Sequence, residues 1–534
     1  MLKIRLLTVA ICLCFAIQVS AQNFSNILGK ADPREFGNTI TQQLDSTYLV
    51  GGSYRNSFYG KDFPACIHLR KNGSYDWARQ YNLPGQPDAE IQYVEAVRNT
   101  TGNKDGYIAL IGASSSIFVA RLNNNGTVAW GRKLTKASPS MLVQRIKPVY
   151  SSATSTPSFY VLASDYNSDE QLVIKLSATG TTIWQKRIGH NTTGNEYIFR
   201  DLKVTSDSGC VITGYVSEGG LSKPVIFKMS STGSVTLAKV YDFFSTAYSG
   251  GFGIAPTTGG YVVTGEENNG DDNLTFKVTT AGAITWAYKY TNVGVNELNG
   301  QAVVSDAAGN IIVAGANYNP SVLNDAFIMK LNSLGTVTFA KEYYGHSDVN
   351  DLKLTIQGGY AFAGTSDPSN VLSDIYVVHT NSSGNLASAC QPASITYTRV
   401  SPEFNSVVNA SYYVGNSALT NSSVIINSPS ITTEEVRCGT AAPETIIADK
   451  VMHQLQSYFA NSNTLQVTLT SNATDKEKYE AKLMNMQGEI VGLKQISANV
   501  ITTFQLPAVQ SGLYVVTVSL RGQLVAQQKL IYTK

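Results

Sequence analysis

Charge is what this chain is short of. Only 15% of its 534 residues are Asp, Glu, Lys or Arg, against about 25% in an average soluble protein. The two signs nearly cancel, at a net +2, which excludes the electrostatic footprint of a nucleic-acid or polyanion binder. Histidines are few (His68, His190, His346, His379 and His453), and they form no His-Glu-x-x-His pair. There is no Gly-x-Ser-x-Gly elbow and no phosphate-binding loop, and Gly251-x-Gly253 lacks the third glycine of a dinucleotide fingerprint. A zinc or nucleotide enzyme is therefore not expected. Past the N-terminus no apolar run reaches spanning length, so no transmembrane segment is expected in the mature chain.

Cysteine is scarce too. Cys12 and Cys14 fall inside an N-terminal apolar run, Leu6–Val19, which follows Lys3 and Arg5 and precedes the small-residue site Val19-Ser20-Ala21. That order reads as a signal peptide over residues 1–21, with export to a secreted or outer-surface location. Of the rest, Cys66 and Cys210 sit in apolar strand-like runs and read as buried small hydrophobes. Cys390 and Cys438 bracket a polar segment, and in an oxidising compartment they are expected to form a disulfide.

What the chain has is a repeat. The stretch from Ile174 to Ile188 holds an alternating apolar run, a polar turn ending in Gly180, and a second strand led by Trp184. Equivalent turn glycines stand at Gly73, Gly126, Gly180, Gly233, Gly282, Gly335 and Gly384. Four residues after each comes Trp77, Trp130, Trp184, Leu237, Trp286, Phe339 or Ser388, so all 4 tryptophans occupy one register position. Earlier in each unit a strand ends in a small residue, as at Tyr48–Gly52, Cys210–Gly214 and Tyr360–Gly364. Evenly spaced short strands with a glycine and an aromatic in every unit predict an all-β fold, a β-propeller over residues 22–390.

Closure is predicted as well. Phe24 lies 53 residues before Trp77, in a segment resembling the Trp-led strands. Seven intervals then run from Phe24 to Ser388, which predicts a seven-bladed propeller whose N-terminal strand completes the last blade. An open solenoid of the same units is the alternative. The pattern K-L-x-x-x-G-x-x-x-W resembles the repeats of secreted bacterial propellers and, more distantly, the tryptophan-docking repeats of quinoprotein dehydrogenases. The cofactor cage and metal-binding acids of those enzymes find no counterpart here, so no cofactor is expected.

Beyond the repeats, residues 391–438 read as a small strand-rich extension closed by the Cys390–Cys438 pair, and 439–455 as a linker. Residues 456–534 alternate apolar and polar over several strands, the pattern of a compact β-sandwich. The stretches Leu483–Val491, Leu506–Val518 (with Gly512-Leu513-Tyr514) and Gln528–Lys534 resemble the C-terminal sorting domain of type IX secretion cargo in Bacteroidota. The resemblance implies passage across the outer membrane through that secretion machinery, then removal of the domain with release or surface attachment.

Three candidate sites remain. Five residues before each turn glycine stand His68, Arg121, Lys175, Lys228, Lys277, Lys330 and His379. They read either as a basic ring for an anionic ligand or as strand-end bases that pair with carboxylates or lie over rings of the Trp strands. Asp165-x-Asn167-x-Asp169 and the turn with Glu266, Glu267, Asp271 and Asp272 offer oxygen ligands for loosely bound calcium. Glu170 and Leu176, however, stand where a calcium loop needs its glycine and closing glutamate. Irregular loops at Tyr54–Lys61, Pro84–Glu90, Tyr166–Glu170, Ser217–Lys223, Glu266–Asp272 and Asn317–Asn324 carry Tyr54, Tyr59, Tyr166, Asn268 and Tyr318, which suit a glycan. The expected function is a non-enzymatic binding or structural module for a glycan or protein. The alternative is a polysaccharide hydrolase or lyase that acts through loop carboxylates.

Overall fold

The computed structural model describes residues 23–29, 35–56, 61–86, 88–113, 115–136, 140–243, 248–267, 272–291, 297–318, 325–343, 348–366, 373–386, 391–417, 419–428, 430–431, 434–437, 453–461, 463–471, 478–485, 490–506, 512–520 and 523–532. Among them every regular element is a strand, and no helix is long and apolar enough to cross a membrane. The chain divides into two compact units, Met1–Thr440 and Ala441–Lys534.

In the first unit Glu35–Gln42, Tyr48–Asn56, Lys61–Leu69 and Tyr75–Gln80 pair in chain order, each antiparallel to its neighbour. Sheets beginning at Ala89, Met141, Glu196, Ser249 and Glu297 repeat this four-strand meander. The remaining sheet takes Asp348–Leu354, Tyr360–Ser366 and Asp374–Thr380 from the end of the repeats. Its fourth strand is Phe24–Gly29 from the N-terminus, with Phe24 opposite His379. The first strands of these sheets touch one another in an unbroken cycle, and Glu35–Gln42 meets Asp348–Leu354 across the seam. A cycle of that kind is a β-propeller; an open solenoid would leave its first and last sheets apart. The apolar clusters lie between successive sheets, as where Tyr93, Ile108, Val119, Ile146, Phe159 and Ile174 pack together.

Tryptophan and turn glycine recur together because they are partners across sheets. A Cβ on Gly126 would stand 2.4 Å from the Trp77 ring, and one on Gly180 would stand 2.6 Å from Trp130. Both glycines are left-handed, with φ of +76° and +77°, so the position excludes side chains on two grounds. Phe24 covers Gly73 in the same way, which is how the N-terminal strand takes the tryptophan place in the closing sheet. The indoles of Trp184 and Trp286 donate to the carbonyls of Ser231 and Ser333 at 3.1 and 3.0 Å. Four residues beyond the tryptophan position, tyrosine hydroxyls donate to the glycine carbonyl itself: Tyr81 to Gly126, Tyr241 to Gly282, Tyr290 to Gly335 and Tyr343 to Gly384, at 2.6–3.0 Å.

Residues 391–437, read from composition as a strand-rich extension, hold seven short strands. They run backwards around the whole propeller and add a fifth, antiparallel strand to the outer edge of every sheet. Ala393–Ser394, Thr398–Val400, Ser406–Asn409, Tyr412–Asn416, Thr420–Val424, Ser430–Ile431 and Glu434–Arg437 pair in turn, the last with Phe24–Gly29. The physical reason is edge protection. Outer propeller strands present unpaired backbone groups, and short polar strands satisfy them without offering a long new edge. One belt residue also repairs the repeat: Leu134 stands where four of the sheets have the tyrosine, and Asn421 Nδ2 donates to the Gly180 carbonyl instead, at 2.9 Å. Cys390 and Cys438 lie outside the described residues. Cys66 and Cys210 are buried thiols, and burial pushes each up to about 12.

In the second unit His453–Asn461, Thr464–Ser471 and Ile501–Gln505 form one sheet. Ile490–Ser497, Lys478–Asn485, Gly512–Leu520 and Gln523–Tyr532 form another. One apolar cluster joins Leu465, Val467 and Leu469 of the first to Tyr479, Leu483, Val516 and Val518 of the second.

Candidate functional site

Each innermost propeller strand carries a β-bulge at the same level. The ladder skips Asn38, Gln92, Gln144, Arg200, Phe252, Gln301 and Asn350, one per sheet. A bulge turns the extra residue out of the ladder, and here all of them line one cavity of about 400 Å³ on the axis, with Arg145 and Glu266. The small residue that ends the second strand makes room for this kink. A Cβ on Gly52, Gly214, Gly265, Gly315 or Gly364 would lie 1.6–1.9 Å from a carbonyl oxygen of the bulged strand.

The vestibule is polar and asymmetric. Asn38 Nδ2 donates to Glu90 Oε2 at 3.1 Å and to the Ile91 carbonyl at 2.9 Å. Gln92 Nε2 donates to the other Glu90 oxygen, and Asn350 Nδ2 donates to the Gly37 carbonyl at 2.8 Å. Burial raises the Glu90 carboxyl, partly offset by those amides. A second cavity of about 540 Å³ adjoins, sharing Asn38 and Gln92 and adding Phe36, Asp62, Asp88, Glu90 and Met141. Burial also raises the Glu266 carboxyl to about 7, against the pull of Arg200.

Beside these residues along the same inner strands lies a layer of paired charges. The Tyr93 hydroxyl donates to Asp351 at 3.2 Å and accepts from Lys147 and Lys353 at 2.6 and 2.7 Å. Arg145 and Lys203 pair with Asp201, each at 3.0 Å, and both Lys147 and Lys353 reach Glu95. Burial alone would raise Glu95, but the two lysines outweigh it and hold the carboxyl at about 2. Asp201 is likewise held at about 2, burial being outweighed by Lys203 and Arg145. Of the two ammonium groups, burial drives Lys147 down, while Asp351 and Glu95 overcome burial at Lys353 and keep it charged.

The basic set read from the repeat lies elsewhere. His68, Arg121, Lys175, Lys228, Lys277, Lys330 and His379 sit two strands out from the axis, beside the glycine turns. Each stands directly across from its sheet's tryptophan position. Arg121, Lys228 and Lys330 pair with Asp105, Asp207 and Asp306 of their own sheets, at 2.7, 2.6 and 3.9 Å. His68 stacks on Trp77 and bonds Asp76 at 3.0 Å. Lys175 donates to the Ser231 carbonyl at 3.0 Å, and His379 packs on Phe24 and Tyr48. The structure places these residues one per sheet and does not bring them to a common cavity.

In the calcium-like turn, Asp165 accepts from Lys136 and from Ser168, the latter at 2.7 Å, and Glu170 pairs with Arg187 at 2.7 Å. In the other acidic turn, Asp272 pairs with Lys289 at 3.2 Å, and Asp271 lies outside the described residues. Of the loop side chains, Tyr166 and Tyr318 are exposed; Tyr59 and Asn268 lie outside the described residues. Sequence reasoning named Glu266 but missed the seven bulge residues that line the vestibule with it. The signal was the small residue of the second strand, which marks the bulge opposite it.

No family model matches the chain, and no curated protein matches it. Among solved structures it is similar to the Dos1 propeller at 10% identity, covering 65% of this chain and 95% of that one, with a TM-score of 0.38. A protein of unknown function from Bacteroides caccae is similar at 13% identity over 55% and 93%, with a TM-score of 0.33. Synechocystis apocarotenoid oxygenase is similar at 10% identity over 72% and 98%, with a TM-score of 0.36. At these values the likenesses carry no functional argument, and the propeller rests on this chain's own cycle of sheets.

Proposed function

We propose that the chain is an exported, seven-bladed propeller that binds a saccharide in its axial vestibule, followed by a β-sandwich that addresses it to type IX secretion. The observation that carries the binding reading is the bulge ring. Asn38, Gln92, Gln144, Gln301 and Asn350 put amides at equivalent positions around one cavity, and Phe252 adds an aromatic face. Amides exchange hydrogen bonds with hydroxyl groups in both directions, and an aromatic face covers the apolar side of a sugar ring. A cavity of about 400 Å³ lies in the size range of small-ligand sites. The sorting reading is supported by the Gly512-Leu513-Tyr514 stretch, where Tyr514 is buried in the shared cluster of the second unit.

The test is a glycan array probed with the mature protein, followed by titration of the hits. Gln92→Ala with Gln301→Ala is expected to weaken binding about tenfold, two hydrogen bonds being removed. An array without hits, or hits that the double variant leaves unchanged, would remove the reading. A second reading, a polysaccharide hydrolase or lyase, is favoured by Glu266, whose carboxyl is raised to about 7 in the vestibule, a value suited to a general acid. Release of reducing ends that Glu266→Gln abolishes would establish it.

A further inference from the structure

We infer that the saccharide taken by the vestibule is an acidic one, a uronic acid unit whose carboxylate seats on Arg200 with Gln144 as a second donor. This rests on the saccharide reading above.

The neighbouring axial cations come with their counter-ions. Arg145 and Lys203 have Asp201 at 3.0 Å, Lys353 has Asp351 at 3.3 Å, and Lys147 has Glu95. Among the described residues Arg200 forms no ion pair; its side-chain partner is the Tyr215 hydroxyl at a long 3.4 Å. Its Nε is buried without a hydrogen-bond partner among the described residues. The guanidinium instead lies near the rings of Tyr215 and Phe252, at 5.6 and 5.9 Å. Ring contacts of this kind orient the guanidinium plane and leave its N–H groups uncommitted.

In the adjoining sheet Gln144 is 8% exposed, lines the same cavity, and has a buried Nε2 with no partner among the described residues. A buried donor without an acceptor is costly. Both unmet atoms are N–H donors, so what completes them is an acceptor. The guanidinium fork matches the two oxygens of a carboxylate.

The opposite part of the ring has the reverse character. Glu90, the Ile91 carbonyl and the Gly37 carbonyl are all acceptors, which fixes the amides of Asn38, Gln92 and Asn350 with nitrogen inward to protein. Their amide oxygens are left to accept from hydroxyls. Donors in two adjoining sheets and acceptors in three others form a polarised cavity. A ring with a carboxylate on one edge and hydroxyls on the other fits it. Glu266 also lines the cavity, and its raised carboxyl leaves it partly protonated at neutral pH, so it does not fully discharge Arg200.

The test titrates the mature protein calorimetrically with oligomers of galacturonate, glucuronate and mannuronate. Each is compared with the same oligomer after reduction of its carboxyl groups to alcohols, and with a sulfated neutral oligomer. At least one acidic oligomer is expected to bind about tenfold or more tightly than its reduced form, as charge-assisted hydrogen bonds imply. That ratio should fall to about one in Arg200→Gln and partway in Gln144→Met and Arg200→Lys, with melting curves confirming that each variant is folded. Equal binding of acidic and reduced forms, or preference for the sulfated oligomer, overturns the carboxylate assignment and leaves the saccharide reading standing. No binding of any form removes both.

Discussion

Trp77 and Gly126 belong to successive sheets, and the indole occupies the space that any side chain on Gly126 would need. The pair is one contact of a cycle, repeated by Trp130 on Gly180 and closed by Phe24 on Gly73. Neither residue type alone explains the repeat. The glycine recurs because side chains of the preceding sheet lie over it, an aromatic ring everywhere but at Gly282, which Lys239 and Leu237 cover.

Gly126→Ala is therefore expected to cost more than backbone strain. A left-handed alanine costs about 1 kcal/mol, and displacing the packed indole brings the total to about 2 kcal/mol or more. Gly309→Ala is the control, because Gly309 has φ of +79° but its nearest neighbour to a Cβ is Ser333 at 3.9 Å. Urea unfolding of the two variants should separate the terms. Equal losses would show that the indole contact contributes nothing.

The carbonyl of the turn glycine is a second contact between sheets. Tyr343→Phe removes the hydroxyl that bonds Gly384 at 2.7 Å, and Asn421→Ala removes the belt's bond to Gly180 at 2.9 Å. Each is expected to lower stability by about 1 kcal/mol. A loss in Asn421→Ala like that in Tyr343→Phe would show, in a thermal melt, that the belt replaces the missing tyrosine of its sheet.

Acid should weaken the axial layer. Glu95 has an ordinary value of 4.5 and is held at about 2 when folded, despite burial, by Lys147 and Lys353. A carboxyl with a depressed folded value stabilises the fold above its unfolded value, and that contribution is lost as pH falls between the two. Stability should thus decline from about pH 4.5 to about pH 2, with Asp201 adding to it over the same range from 3.8 downward. Glu95→Gln should flatten this slope. At pH 7 it should also destabilise by about 3 kcal/mol, since the buried ion pairs of Glu95 with Lys147 and Lys353 are broken. Denaturant midpoints measured from pH 7 to pH 2 check both.

The sheets were legible because their signals are periodic. Trp77, Trp130, Trp184 and Trp286 mark a register, and Phe24 extends it backwards to the strand that closes the ring. The strand-rich character of the belt was legible, but its course around the sheets was not. Thr398–Val400 and its fellows are short, with mostly exposed side chains, so no alternation betrays which sheet each one joins; backbone hydrogen bonds set that course. The vestibule was hidden for another reason. A bulge shifts Asn38 or Gln301 by one residue from the period-two pattern, and the residues it turns inward differ from sheet to sheet. His68 and its counterparts were conspicuous because they recur strictly, and the structure puts them beside the glycine turns, opposite the tryptophan position.

The backward course of the belt decides where its last strand arrives. Asn26 faces Arg437 on one side and Val377 on the other, so the segment that seals the ring is itself held down by the segment that ends the wrap. The circle therefore has a single joint, and that joint is fastened twice. Removing Phe24–Gly29 alone breaks the ladders on both of its edges. In a nascent chain, Phe24–Gly29 is made before both of its partner strands and acquires its outer neighbour only when the wrap is complete.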